Sequence, residues 1–138
     1  MKLSVKSDYA ARAVLGLARH FHTGKAVRGD DLATEQNIPS NYLIQILIEL
    51  KSQQIVKSVR GKEGGYLLAR APGDITMADV LKAVHGEVFD SPALNDPQCT
   101  PELKEVWKRI REAVEGVATD INFQQILEAS KSESMYYI

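Results

Sequence analysis

Four polar side chains that could contact a nucleic acid lie close together: Ser40, Asn41, Tyr42 and Gln45. The amides of Asn41 and Gln45 can pair bidentately with the edge of an adenine, whereas tyrosine and serine hydroxyls more often bind phosphate. Two of the four have a structural alternative, because Ser40 could cap a helix and Tyr42 could lie partly in a core. These residue types indicate a surface that reads the sequence of a DNA duplex.

These side chains begin a predicted helix that follows a tight turn. One helix ends near Ala33, Asn37 makes the turn, and Ser40 caps a second helix from Asn41 to about Ser52. Asparagine tolerates the left-handed backbone that so short a turn needs. Apolar residues at helical spacing predict the inner face of the second helix: Leu43, Ile46, Leu47 and Leu50. The pattern is typical of a helix-turn-helix, whose second helix enters the major groove of DNA.

The outward face of the same helix also carries two apolar residues, Ile44 and Ile48. Apolar side chains at such a position can contact the methyl group of thymine. Alternatively, they are simply tolerated at the surface. The sequence leaves both interpretations open.

A glycine-rich hairpin follows that helix within a few residues. Residues 58–66 have two short β-type flanks around a basic tip, where Arg60 and Lys62 could enter a minor groove or bind its phosphates. We include Gly64 and Gly65 in the predicted DNA-binding set. The run lacks the strand–loop–helix order of a nucleotide-binding loop. Its position directly after a candidate recognition helix predicts the wing of a winged helix.

Composition and charge set the class of protein. The chain has 138 residues, 44% of them hydrophobic, and one cysteine, Cys99, which excludes an internal disulfide framework. No apolar run approaches the roughly 18 residues of a membrane span, and residues 1–10 lack a signal-peptide core. We therefore expect a soluble, cytoplasmic protein. Residues 1–70 hold 11 Lys and Arg against 6 Asp and Glu, whereas residues 71–138 hold 6 against 12. A basic half that contains the helix-turn-helix favours contact with phosphates.

Further helices complete the predicted architecture. A first helix runs from Ser7 to His22 and stops at Gly24, and a helix from Met77 to His85 is capped by Thr76. The fold class is mainly α with a small β-hairpin wing. We divide the chain into a winged helix-turn-helix domain at residues 1–85, an effector or sensor loop at 86–100, and a dimerisation segment at 101–138.

The dimerisation segment begins with a long helix. Thr100 and Pro101 start it, and it continues to about Ala118, followed by a short final helix from Asp120 to Glu128 and a tail. The long helix carries an apolar stripe that a completed winged helix does not need. We expect the same helix of a second subunit to cover it, although packing on its own domain is the alternative. The predicted contact residues are Leu103, Val106, Trp107, Ile110, Val114 and Val117.

The sequence resembles the Rrf-two type of bacterial winged-helix regulators, which includes iron–sulfur cluster, nitric-oxide and cysteine-metabolism repressors. The resemblance implies a homodimer that binds a partly palindromic operator, usually to repress, with one recognition helix in each major-groove half-site. It spans nearly the whole chain and is carried by MKLS at 1–4, YA at 9–10, IPSNYL at 38–43, VRGKEGGYLLA at 59–69 and the segment 76–84.

The chain departs from that family at the cluster. Many members hold an iron–sulfur cluster with three cysteines in the loop before the dimerisation helix, but residues 91–100 offer only Cys99. A cluster needs about four protein ligands. Asp8 lies where some members provide a non-cysteine ligand, but a role as a helix-start acid is strongly favoured for it. His20, His22 and His85 show no metal-ligand spacing. We predict no cluster, no metal and no cofactor.

Three hypotheses for sensing remain: a thiol switch at Cys99, a small-molecule or protein effector, or no signal at all. For function, a sequence-specific DNA-binding repressor leads. The alternative is a winged-helix module that binds protein through its acidic half and does not bind DNA. An enzyme is disfavoured, because the sequence shows no nucleophile–base pair, paired carboxylates or phosphate loop at suggestive spacing.

Overall fold

The computed structural model describes residues 3–136, with side chains described to Lys131. The end of the predicted tail, residues 137 and 138, lies outside this range. In chain order the elements are α1 (Val5–Arg19), α2 (Gly29–Gln36), α3 (Ser40–Ser52), β1 (Val56–Val59), β2 (Gly65–Leu68), α4 (Met77–His85), α5 (Pro101–Asp120) and α6 (Phe123–Tyr136). Short 3-10 turns occur at Phe21–Thr23, Pro72–Asp74 and Pro92–Asn95. The fold is mainly α with a two-stranded hairpin, which confirms the predicted fold class.

Helix α1 lies at the centre and packs against α2, α3, α4 and α6. It begins earlier and ends earlier than the sequence predicted. The Ser4 hydroxyl, not Ser7, caps it by accepting from the Ser7 amide at 3.1 Å, and the helix gives way after Arg19 to a 3-10 turn. Gly24 closes that turn in the left-handed conformation, as predicted. Gly16 lets α2 approach, because a Cβ there would lie 2.6 Å from Leu32 Cδ1.

The helix-turn-helix forms as the sequence predicted. Asn37 has φ of 54°, and the Ile38 amide donates to the Ala33 carbonyl at 3.0 Å. The inner face of α3 is buried at every predicted position: Leu43, Ile46, Leu47 and Leu50. The predicted cap was wrong. Pro39 caps α3, its carbonyl accepting from the Tyr42 and Leu43 amides, and Ser40 is the first helical residue with no capping side-chain bond.

The hairpin is tied to the body of the domain by a third segment. Strands β1 and β2 pair antiparallel, with Val56 opposite Leu68 and Val59 opposite Gly65. Tyr66 then exchanges two backbone hydrogen bonds with Val27, of 2.9 and 2.8 Å. Gly65 has φ of 151°, and a Cβ there would collide with the Val27 carbonyl. Glycine is therefore required for this three-stranded contact.

The capping box of α4 forms as predicted. The Thr76 hydroxyl accepts from the Asp79 amide at 3.1 Å, and Asp79 Oδ2 accepts from the Thr76 amide at 3.0 Å. These bonds satisfy two of the backbone amides that a helix start leaves unpaired. Val80 is fully buried and brings α4 into the core against α1.

The carboxyl-terminal segment differs from the prediction. We expected a short helix ending at Glu128 and a frayed tail, but α6 is 14 residues long and continues to Tyr136. It returns to the amino-terminal core, where Phe123 is buried, and packs on α1 and on the Pro72–Asp74 turn. The Met77 amide donates to the Ile121 carbonyl and the Phe123 amide to the Ile75 carbonyl, at 2.8 and 3.1 Å. The core is therefore not complete at His85.

Candidate nucleic-acid interface

The outer face of α3 carries the predicted reading residues. Asn41 and Gln45 lie four residues apart, on one face of the helix, and both are exposed. Ser40 is exposed at the first turn. The opposite face is anchored in the core by buried leucine and isoleucine side chains, which fixes the direction in which these polar groups point. The structure thus brings the three predicted contacts together at the amino-terminal half of one rigid helix.

Tyr42 lies at the surface rather than in the core, and its role as a phosphate contact stays a prediction. Its side chain is 47% exposed, and its ring meets the ring of Tyr9 on α1 edge to face, with centroids 5.5 Å apart. Arg12 lies over the Tyr9 ring at 5.4 Å and pairs with Asp8 at 2.8 Å. Aromatic pairs of this geometry are attractive. The Tyr42 ring is therefore held by α1 and also remains accessible at the surface.

An ion pair joins α1 to α3 beside these residues. Lys6 Nζ lies 2.6 Å from Glu49 Oε1, and the other carboxylate oxygen of Glu49 is buried without a hydrogen-bond partner among the described residues. A shallow cleft of about 280 Å³ adjoins the pair and is lined by Lys6, Asn41, Tyr42, Gln45 and Ile46. Lys6 and the predicted reading residues therefore share one surface.

The two isoleucines that the sequence placed outward do lie outward. Ile44 is 61% exposed and Ile48 is 57% exposed. They add an apolar strip to the outer face of α3. This strip has the chemistry needed to contact thymine methyl groups.

The tip of the wing is basic and exposed. No ion pair of Arg60 or Lys62 occurs within the part of the chain that the structure describes, so both cations are available for phosphate contact. Lys51 at the end of α3 donates to the Ser58 hydroxyl at 2.7 Å and links the helix to β1. Gly64, like Gly65, has a structural reason for its type, because a Cβ there would collide with the Val59 carbonyl.

Sequence reasoning missed the residues that face the wing from the body of the domain. A cleft of about 910 Å³ separates the wing from the segment between α1 and α2, and Lys25 and Arg28 contribute to its lining with Arg60 and Lys62. Neither Lys25 nor Arg28 was singled out from the sequence. Their position depends on the pairing of Val27 with Tyr66, which brings together residues far apart in the chain.

The predicted dimerisation stripe lies on α5 and is largely uncovered. Thr100 caps the helix by accepting from the Leu103 amide at 3.4 Å, as predicted. Four of the predicted residues are exposed: Leu103, Val106, Ile110 and Val117. Trp107 and Val114 are half-buried, because α5 also packs against α4 and the Pro92–Asn95 turn. Packing on its own chain therefore covers part of the stripe, and cover of the exposed part by a second subunit stays a prediction.

The residues present do not fit a metal or an iron–sulfur cluster. The chain has a single cysteine, Cys99, which is a partly exposed thiol just before α5. Among residues 3–131, whose side chains the structure describes, no three His, Cys, Asp or Glu side chains converge as metal ligands. The same residues include no helix long and apolar enough to cross a bilayer.

Known proteins resemble this chain over most of its length. A sequence profile of the Rrf2 family, described as an iron-dependent transcriptional regulator, matches residues 3–129. A candidate HTH-type transcriptional regulator of Mycobacterium tuberculosis is 37% identical over 131 residues, covering 91% of this chain and 81% of the relative. The HTH-type transcriptional regulator CymR of Bacillus subtilis is 30% identical over 141 residues, covering all of both chains.

Solved structures agree with the sequence matches. The structure of T. potens IscR has a TM-score of 0.82 at 30% identity, covering 99% of this chain and 97% of that one. The structure of B. subtilis CymR, titled as the global cysteine regulator, also has a TM-score of 0.82, at 29% identity, and covers 94% and 98% of the two chains. These matches favour DNA binding over the protein-interaction alternative. The chain therefore belongs to the Rrf2 family, and it is a DNA-binding transcriptional regulator with a winged helix-turn-helix rather than an enzyme.

Proposed function

We propose that the protein acts as a homodimeric repressor on a partly palindromic operator. The observation that carries this proposal is the uncovered apolar stripe of α5, where four large side chains are exposed along a helix of 20 residues. Contiguous exposed apolar surface of this kind marks an interaction site. A second copy of α5, related by a two-fold axis, supplies a matching stripe.

The outer face of α3 and the wing are the surfaces that would contact DNA. Asn41, Gln45 and the isoleucine strip face the base edges of a major groove, Tyr42 and Ser40 reach phosphates, and Arg60 and Lys62 enter the flanking minor groove. A two-fold dimer presents two recognition helices to half-sites about 34 Å, or one helical turn, apart. Symmetry of the protein thus predicts symmetry of the operator.

The iron–sulfur cluster that the family resemblance implies for many members does not belong to this proposal. An iron–sulfur cluster is held by about four ligands, mostly cysteine thiolates. One thiol per chain gives two per dimer, and no other described group of side chains completes a set. We propose that this regulator works without an iron–sulfur cluster.

The signal that we propose is oxidation of Cys99. Its thiol is partly exposed and is not part of a disulfide. It lies one residue before Thr100, the cap of the helix that would form the dimer interface. One relative, Staphylococcus aureus CymR, has a solved structure titled as its oxidized form, which is 28% identical to this chain. A modification at this point would change the start of α5 and with it the spacing of the two recognition helices.

A DNA titration tests the proposal. Reduced protein is titrated into a duplex from its own promoter region and into a scrambled duplex at equal salt, because non-specific affinity falls steeply with salt. We expect preference for the promoter duplex, a dimer by light scattering, and less transcript in a purified transcription assay. Mild peroxide should change the affinity of the wild type and leave Cys99→Ser unchanged.

Three results would count against separate parts of the proposal. Equal affinity for both duplexes would refute sequence-specific binding, and a monomer at micromolar concentration would refute the dimer. An identical response of wild type and Cys99→Ser to peroxide would refute the thiol switch and favour a bound effector.

A further inference from the structure

We propose that Glu49 restrains binding to non-cognate DNA by holding the Lys6 ammonium away from phosphates. The inference rests on the proposed function, because it assumes that the outer face of α3 meets DNA. It assigns a specificity role to a carboxylate on the recognition helix and to a lysine on a different helix.

Position is the first support for this inference. Glu49 follows Gln45 by four residues, so the two lie next to each other on α3. Lys6 lines the same shallow cleft as Asn41, Tyr42 and Gln45. The ammonium therefore lies at the edge of the surface that would face the polyanion, where an unpaired lysine would bind a phosphate of any sequence.

The geometry of the pair is the second support. The Nζ to Oε1 distance is 2.6 Å, and the lysine side chain is 36% exposed and the glutamate side chain 27% exposed. If the Lys6 ammonium moved from Glu49 to a DNA phosphate, Glu49 Oε1 would lose its partner. Oε2 already has no hydrogen-bond partner among the described residues, so neither carboxylate oxygen would then be hydrogen-bonded. The carboxylate would also face the approaching phosphates, which is a repulsive arrangement. DNA that offers only phosphates must overcome both effects.

A purely structural role explains the pair less well. Partly exposed ion pairs contribute little to stability, and α1 and α3 are already joined by buried side chains that include Ala13, Leu43 and Ile46. Glu49 is the only acid in α3. A neutral polar residue would anchor the helices comparably, so the charge itself needs a reason. Suppression of non-specific binding supplies that reason, since specificity is a ratio of two affinities.

The test compares four proteins on the promoter duplex and on the scrambled duplex across a salt series: the wild type, Glu49→Gln, Lys6→Gln with Glu49→Gln, and Glu128→Gln. Glu128 is exposed on α6, accepts a hydrogen bond from Gln124 at 3.2 Å and lines neither cleft described above, so it is the matched control for loss of one negative charge. Melting temperatures confirm that each variant is folded.

Glu49→Gln should bind scrambled DNA about three- to ten-fold more tightly than the wild type, with a salt slope steeper by about 0.9, the value for one additional phosphate. Its affinity for the promoter duplex should rise less, so that discrimination falls. The double variant lacks both charges of the Lys6–Glu49 pair, so its net charge equals that of the wild type. It should match the wild type within about two-fold in DNA affinity and in salt slope. Glu128→Gln should also match the wild type.

Two outcomes overturn the inference. One is a Glu49→Gln variant that binds scrambled DNA no better than the wild type, which would make the pair a structural link only. The other is a double variant whose salt slope is shallower by about 0.9, since Lys6 would then already bind a phosphate in the wild type. The double variant carries the test if Glu49→Gln does not fold. Failure of the wild type to prefer the promoter duplex refutes the proposed function separately.

Discussion

At the scale of single residues, the structure separates side chains that would read bases from those that would bind phosphates. Gln45 projects from a helix fixed in the core, whereas Lys62 lies at the tip of a hairpin. A bidentate amide contact distinguishes one base pair from another, but a lysine–phosphate contact is independent of sequence. The two residues should therefore respond differently to mutation.

We expect Gln45→Ala to lose about 1–3 kcal/mol of discrimination at one base position and to keep its affinity for scrambled DNA. Lys62→Ala should weaken binding to both duplexes by a similar factor and reduce the salt slope by about 0.9. Titrations with single-base operator variants at several salt concentrations measure both effects. The reverse behaviour would mean that the assignment of reader and phosphate contact is wrong.

The isoleucine strip allows a chemical test at the same scale. If Ile44 contacts a thymine methyl group, replacement of that thymine by deoxyuridine removes the contact without changing a hydrogen bond. We expect one such replacement to weaken binding of the wild type and to have no effect on Ile44→Ala. Deoxyuridine scanning across each half-site identifies the position. If no deoxyuridine replacement changes the affinity of the wild type, Ile44 contacts no thymine methyl group and is simply tolerated at the surface.

At the scale of elements, we expect the position of the wing to depend more on the backbone pairing of Tyr66 with Val27 than on the hairpin turn at Gly61. Gly65 lies where any Cβ would collide with the Val27 carbonyl, whereas Gly61, at φ of 111°, has open space around its Cβ position. Both substitutions to alanine strain the backbone, by about 1–3 kcal/mol. Only Gly65→Ala also breaks the pairing of Tyr66 with Val27.

We therefore expect Gly65→Ala to lower stability and DNA affinity more than Gly61→Ala. Urea denaturation gives the free energy of unfolding, and amide exchange at Val27 and Tyr66 reports the pairing directly. Equal effects of the two substitutions would show that the wing does not need its third segment.

The final helix gives a second prediction for an element. Phe123 is 1% exposed and packs in the core with Ile75. Its replacement by alanine should cost about 3–5 kcal/mol of stability, because it leaves a cavity where a large aromatic ring was buried. Glu128→Ala, an exposed position on the same helix, should change stability by less than about 0.5 kcal/mol. Similar urea midpoints for both variants would show that α6 is peripheral.

The elements also show which features of the fold could be predicted from the sequence. The turn at Asn37, the inner face of α3 and the capping box at Thr76 depend on residues within a few positions of each other, so local patterns predicted them. The pairing of Val27 with Tyr66 and the return of Phe123 to Ile75 join distant parts of the chain. No local periodicity encodes such contacts, and for that reason the extent and position of α6 were missed. The cap of α3 was misassigned because Pro39 satisfies the first amides with its carbonyl.

At the scale of the whole molecule, α5 divides its surface between the rest of its own chain and, in our proposal, a second subunit. Trp107 and Val114 are half-buried by contacts within the chain, and Val106 and Ile110 are exposed. An aspartate at Ile110 would place a charge at the centre of the proposed interface, where it cannot keep its hydration without separating the subunits. It would leave the core of the monomer intact.

Ile110→Asp should therefore be a folded monomer that has lost most of its affinity for the promoter duplex and kept its affinity for isolated half-sites. Loss of the dimer removes the gain that comes from two linked contacts, which is about 10²–10⁴-fold for suitably placed sites. Arg109→Asp introduces the same carboxylate at an exposed neighbouring position outside the stripe and should stay dimeric. Light scattering gives the mass of each variant, circular dichroism its helix content, and titration its affinity. A dimeric Ile110→Asp that binds the promoter duplex as the wild type does would exclude α5 as the interface, and the symmetry predicted for the operator would lose its structural basis.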